Sequence, residues 1–126
     1  MFENRTYRQF HRKKGLVSFD VTVKETNLNI QAATDLSNEA VRAVLDIRNL
    51  LEAYIEQHQQ FAHTLLPFKT GGPMPGIVQE MIDAGIKTDV GPMAAVAGMV
   101  AEYTGLALLK KSPEVVVENG GDIFIR

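Results

Sequence analysis

The sequence predicts an α+β fold, an antiparallel-rich sheet with packed helices, as a single domain over residues 1–126. Two patterns carry that prediction. Polar and apolar residues alternate between positions 15 and 33, and β-branched residues gather from 115 onward, as strands require. The stretch between them repeats its apolar residues at helical spacing. The resulting order is strand, strand, helix, helix, helix, strand, with no internal repeat.

The first strand follows Gly15, with Val17, Phe19, Val21 and Val23 on one side and Ser18, Asp20 and Thr22 on a wet side. Alternation resumes in Leu28, Ile30 and Ala32, which predicts an antiparallel hairpin turning near Thr26-Asn27. Ser37 stands where a helix needs an N-cap. Val41, Val44, Leu45, Ile47, Leu51, Tyr54 and Ile55 then recur at helical spacing to about Gln57. The other face of this helix carries Arg42, Asp46, Arg48, Glu52 and Glu56, a mixed-sign stripe read as solvated surface. A Pro- and Gly-rich loop from His63 to Pro75 precedes a short helix that presents Ile77, Val78, Met81 and Ile82 and ends at Gly85.

In "TDVGPMAAVAGMVAEYTGLALLKK", Pro92 suits a first helical turn because its missing N–H would have no partner there. Ala94, Ala95, Ala97, Gly98 and Ala101 keep one side of this helix thin, so a neighbour packs closely against it. Lys110 and Lys111 fall at its carbonyl end, Pro113 forbids continuation, and Val115-Val116-Val117 enters the last strand.

Composition narrows the function classes. With 45% hydrophobic residues the chain can bury a core of ordinary size. Thirteen Lys plus Arg against fifteen Asp plus Glu give a net charge of −2, without the cationic field that drives non-specific nucleic-acid binding. Nucleic acid is therefore not an expected partner. The absence of cysteine excludes disulfides, thiolate zinc sites and a cysteine nucleophile. Met1-Phe2-Glu3-Asn4-Arg5 leads into charged residues without an apolar export core, and Glu102, Tyr103 and Thr104 interrupt the apolar stretch from Gly91 to Leu109. A cytoplasmic setting and a buried helix, with no membrane contact, are the expectation.

Two segments are candidates for chemistry. Gly91 heads the thin helix, where free backbone N–H groups and a positive dipole end let a phosphate approach the main chain beside Asp89, Gly91, Pro92, Met93 and Ala94. Neither the Walker pattern nor the three-glycine dinucleotide fingerprint is present, and a small-residue helix pressed against a sheet accounts for the same letters. The second segment is Asn119-Gly120-Gly121-Asp122. Asn119-Gly120 suits the positive-φ positions of a tight hairpin turn between Val115–Glu118 and Asp122–Arg126. Alternatively, Gly120 and Gly121 give a ligand access to the backbone while Glu118 or Asp122 meets a ribose hydroxyl or a metal. Together the segments set two thin backbones at neighbouring element ends, where α/β proteins commonly bind nucleotides.

"TDVGPMAAVAGMVAE" and "VVVENGGDIFIR", with "NRTYRQFHRKKGLVSFDVTVKETNLNI" at the start, resemble an uncharacterised family of bacterial and archaeal proteins related to ApbE, the FAD:protein FMN transferase. The resemblance runs along essentially the whole chain and implies an ApbE-like fold, of which this chain is the N-terminal half. To the transferases themselves the match is a glycine entering a helix and a strand closing on Gly-Gly-Asp, here Gly91 and Gly120-Gly121-Asp122. In the transferases that region lies along the flavin nucleotide, so FAD or FMN is the implied cofactor. Their magnesium-binding acidic loop comes from the later half, so Mg2+ and flavin transfer are expected only in a complete chain. Asp89, Glu118 and Asp122 are the remaining carboxylates of note, and no metal site or catalytic residue is assigned.

His11, His58 and His63 show no ligand spacing on a common helix face. Arg5, Arg8, Arg12, Lys13 and Lys14, interleaved with Tyr7 and Phe10, suit a solvated edge strand better than an RNA surface, given the neutral remainder. The leading reading is thus a flavin- or nucleotide-binding ApbE-like domain with a small-molecule nucleotide ligand. The alternative is a non-catalytic assembly module, a homo-oligomer or a partner for the missing half, in which Ala95, Gly98 and Met99 face protein.

Overall fold

The computed structural model describes residues 15–126, and the basic run from Arg5 to Lys14 lies outside them. Strand β1 (Val17–Val23) pairs antiparallel with β2 (Thr26–Ala32), with Val23 opposite Thr26. The turn is therefore Lys24-Glu25, two residues ahead of the expected Thr26-Asn27, and Lys24 adopts a φ of 53°. Asn27 has a loop-like letter but a strand position. On the polar face of the sheet its Nδ2 donates to Thr22 Oγ1 at 2.7 Å.

Helix α1 (Ser37–Gln57) buries Ala40, Val44, Ile47, Leu51 and Tyr54, the stripe that the 3.6-residue period requires. Its cap differs from expectation, because Ser37 is already helical. Asp35 Oδ1 accepts the Ser37 backbone N–H at 2.9 Å and also the Ser37 hydroxyl, doing from outside the helix what an N-cap side chain does. A single turn, α2 (Gln60–His63), inserts Phe61 fully into the core, edge-on to Tyr54 and Phe68.

Helix α3 (Gly76–Thr88) runs past Gly85, the expected stop, and ends at Asp89 in the left-handed region with φ 61°. Gly85 serves packing instead, since a Cβ there would lie 2.6 Å from the Val90 carbonyl oxygen. After it, Pro92–Ala95 form a 3-10 turn and only Val96–Leu108 are α-helical, as α4. Strand β3 (Val115–Asn119) and strand β4 (Asp122–Ile125) close the chain around a Gly120-Gly121 turn. Asn119 pairs with Asp122, so the central turn residues are the two glycines and not Asn119-Gly120; Gly120 takes a φ of 63°.

The four strands form one antiparallel sheet in the order β1-β2-β3-β4. The inner face presents Phe19, Val21, Leu28, Ile30, Val115, Val117 and Phe124 to α1 and α4, and these residues belong to one continuous core. Each fully buried aliphatic side chain here stabilises the fold by about 1.5–3 kcal/mol. Gly105 on α4 shows how near the layers come: a Cβ there would sit 2.2 Å from the Phe124 ring, so β4 is the close neighbour that the thin helix implied. The opposite face carries a polar row in which Asn29 Nδ2 donates to Ser18 Oγ at 3.1 Å and to Asp20 Oδ1 at 2.9 Å. No helix among the described residues is long and apolar enough to cross a membrane.

Candidate functional site

A cleft of about 420 Å3 opens at the end of the sheet where both hairpins turn. Glu25 and Thr26 form its rim on the β1–β2 side and Asn119 on the β3–β4 side. Arg48, Leu51 and Ile55 of α1 make one wall, and Met93, Val96 and Val100 make the other. The volume lies in the range of small-molecule sites, and mostly apolar walls with a few polar groups at one end are their usual composition.

Local sequence explains why these elements meet there. Asn119 is the last residue of β3, and its Nδ2 donates to the Ala97 carbonyl at 3.1 Å, tying the glycine turn to the first turn of α4. At the next residue of that helix, the Asp122 carboxylate lies where a Cβ on Gly98 would approach it to 3.4 Å. The glycine turn thus meets the thin helix at Ala97 and Gly98, beyond the stretch from Asp89 to Ala94 singled out in the sequence. Gly120 and Gly121 have no atom within 4 Å of a would-be Cβ, so their bare backbone faces open space.

The individual candidates divide. Met93 and Asn119 line the cleft, and Gly120, Gly121 and Asp122 continue the same turn. Pro92 is buried, and Ala94 shares a separate hollow of about 220 Å3 with Gly85, Val90 and Gly91. Gly91 is bare for a packing reason, because a Cβ would lie 2.0 Å from the Thr64 carbonyl oxygen. Asp89 is the exposed left-handed residue that ends α3. Glu118 is buried and pairs with Asn29 on the polar face of the sheet, opposite Asn119 and away from the cleft. His58 stacks on Tyr54 with ring centroids 4.1 Å apart, and among the described residues no group of three His, Asp or Glu side chains is placed to hold a metal.

Arg48 is the residue that sequence reading assigned to solvated surface and the fold assigns to the site. Its side chain is only 20% exposed, with Nη2 2.7 Å from Glu25 Oε1 and 3.5 Å from Glu52 Oε2. Nη1 donates to Thr26 Oγ1 at 3.2 Å. The Glu25 carboxyl is held below the usual carboxylate range, first by its own backbone N–H and then by the Arg48 guanidinium. The Arg48–Glu52 spacing of four was visible in the sequence, but the contact with Glu25 across the β1–β2 turn had no local signal.

Comparison with known proteins adds the lineage. The family described as AbpE bacteria matches residues 8–126. A UPF0280 protein of Methanococcus vannielii is 38% identical over 112 residues, covering 87% of this chain and 45% of the relative. A UPF0280 protein of Methanopyrus kandleri is 36% identical over 112 residues, covering 88% and 45%. One of Methanosarcina acetivorans is 34% identical over 105 residues, covering 82% and 42%. The chain therefore spans somewhat less than half the length of these relatives.

Proposed function

The chain belongs to the AbpE bacteria family, and from that premise we propose that it is a nucleotide-binding domain whose ligand class is a flavin nucleotide, FMN or FAD, held in the cleft between the two hairpin turns. The observation that carries this reading is the Gly120-Gly121 turn, bare toward solvent and next in the chain to Asn119, which lines a cleft of about 420 Å3 and bonds to the first turn of α4. Leu51, Ile55, Val96 and Val100 offer the flat apolar surface that an isoalloxazine or adenine ring needs. Gly120 and Gly121 admit a phosphate or ribose against the main chain, and Asp122 stands beside them as an acceptor for a hydroxyl.

Flavin transfer is proposed only for a complete chain. A divalent ion neutralising a pyrophosphate needs clustered carboxylates, and the described residues supply no such group. Titration of the purified protein with FMN, FAD and ADP, followed by flavin fluorescence or calorimetry with and without magnesium, tests the binding itself. A saturable signal that Gly121→Val removes without lowering the melting temperature is the expected result. Absence of saturation with all three ligands sinks the reading.

A second reading has its own observation. Strand β4 forms one edge of the sheet, where Ile125 is 58% exposed, so an additional strand from a second copy or from the rest of a longer chain could extend it. Sedimentation equilibrium separates the two: self-association abolished by Ile125→Lys supports assembly, and a monomer at high concentration removes self-pairing.

A further inference from the structure

The charged end of the cleft has an unfilled donor. Arg48 is held end-on, with Glu25 and Glu52 both at Nη2 and Thr26 at Nη1, while its Nε–H is buried and makes no hydrogen bond. Guanidinium binds carboxylates and phosphates best through two parallel N–H groups, and the Nε side of this one takes no acceptor. A buried donor without a partner is a standing cost that an incoming oxyanion can relieve. The carboxylate nearest to Arg48 also stands in solvent. Glu25 sits on a two-residue turn with its side chain 77% exposed, whereas Arg48 rises from the middle of α1 against the cleft.

We propose that Arg48 is the anchor for the anionic group of the ligand in this cleft, and that Glu25 is an internal counter-ion which that group displaces; this presupposes that the cleft is the nucleotide site. The charge count sets the direction. Glu25 and Glu52 are balanced by Arg48 and by Lys24, whose Nζ lies 4.0 Å from Glu52 Oε2, so no surplus positive charge awaits a phosphate and it engages Arg48 only if a carboxylate swings away. Glu25 can do so because rotation about its side-chain bonds carries it into water. Glu52, on the same helix four residues on, keeps Arg48 oriented. The ligand class is thereby narrowed to a phosphorylated nucleotide, a phosphomonoester such as FMN being preferred to the uncharged riboflavin.

The test measures FMN and riboflavin affinities by flavin fluorescence for the wild-type protein, Arg48→Met and Glu25→Gln. Wild type is expected to bind FMN at least about tenfold more tightly than riboflavin, the range of a charge-assisted hydrogen bond. Arg48→Met removes that preference, bringing the FMN affinity down to that of riboflavin measured on the same variant. Glu25→Gln raises the preference for FMN over riboflavin about threefold to tenfold. Equal affinities for the two flavins in wild type, or a preference that survives Arg48→Met, overturn the anchor while leaving the cleft as the flavin site. Binding of neither flavin overturns both. Should Arg48→Met fail to fold, Glu25→Gln decides alone: a preference for FMN that does not move refutes displacement.

Discussion

Replacing Gly91 by alanine places a methyl group 2.0 Å from the Thr64 carbonyl oxygen and 3.0 Å from its carbon. Ordinary contact begins near 3.4 Å, so either the 64–65 backbone or the start of the 3-10 turn must retreat by more than an ångström. Main chain yields less readily than a side-chain tip, and overpacking of this kind costs on the order of 3 kcal/mol. The backbone at Gly91, φ −70° and ψ 161°, suits alanine, so stiffening of the unfolded chain returns about 0.5 kcal/mol. The net loss of roughly 2.5 kcal/mol corresponds to a fall of about 10 °C in melting temperature for a domain of this size. Gly121→Ala is the internal control, because nothing lies within 4 Å and its φ is not positive; it should melt within about 2 °C of wild type. Thermal unfolding followed by circular dichroism reads both. A Gly91→Ala protein as stable as wild type would refute the idea that this glycine exists to let the loop at Thr64 close over the start of the 3-10 turn.

Gly105→Ala drives a methyl into the Phe124 ring at 2.2 Å and should cost about 1–3 kcal/mol in urea unfolding; combined with Phe124→Leu it should cost less than the sum of the single changes, and strict additivity would deny the contact. Asp35→Ala should lower the melting temperature at neutral pH. The Asp35 carboxyl is held below its ordinary 3.8, first by the Ser37 hydroxyl and then by the Ser37 N–H. A depressed folded value makes its contribution present above 3.8 and lost as pH falls through that lower value, so wild type and variant should converge in acid. A gap persisting at about pH 2 contradicts this. The Tyr103 hydroxyl donates to Glu80, and burial followed by that carboxylate pushes its ionisation up to about 12. Its stabilisation is therefore complete below the ordinary 10.0 and lost as pH rises through about 12. The absorbance difference between wild type and Tyr103→Phe should titrate near that upper value, and a midpoint at the ordinary one counts against the pairing.

What the sequence made legible was whatever a period or a chain-breaking residue encodes. The valines of β1, the α1 stripe ending at Gln57, Pro92 at a helix start and Pro113 before β3 all lie where local geometry demands. Contacts between distant residues were not encoded in this way. Gly85 has the look of a terminator but belongs inside α3, because the partner that excludes its side chain, the Val90 carbonyl, depends on how the chain turns after Asp89. Gly91 looks like phosphate-binding backbone, and its true neighbour, Thr64, comes from a loop with no periodicity. Of the residues that line the candidate cleft, only Met93 and Asn119 were singled out in the sequence. The Asn119-to-Asp122 turn and Met93 were identified by their small or turn-forming neighbours, whereas Arg48 was hidden as one charge among five on a polar helix face, and only the folded position of Glu25 sets it apart.

The seam between β2 and β3 has a consequence for how the protein is made. Each hairpin closes around two residues and can form within microseconds. The seam instead joins segments as remote as Ala33 and Ser112, whose N–H and Oγ meet at 3.0 Å across 79 positions of chain. During ribosomal synthesis the second edge of β2 has therefore no strand to pair with until β3 emerges, after every helix has been released. Throughout that interval the nascent polypeptide carries an unpaired backbone edge along β2, and it is then that a holding chaperone has most to offer it.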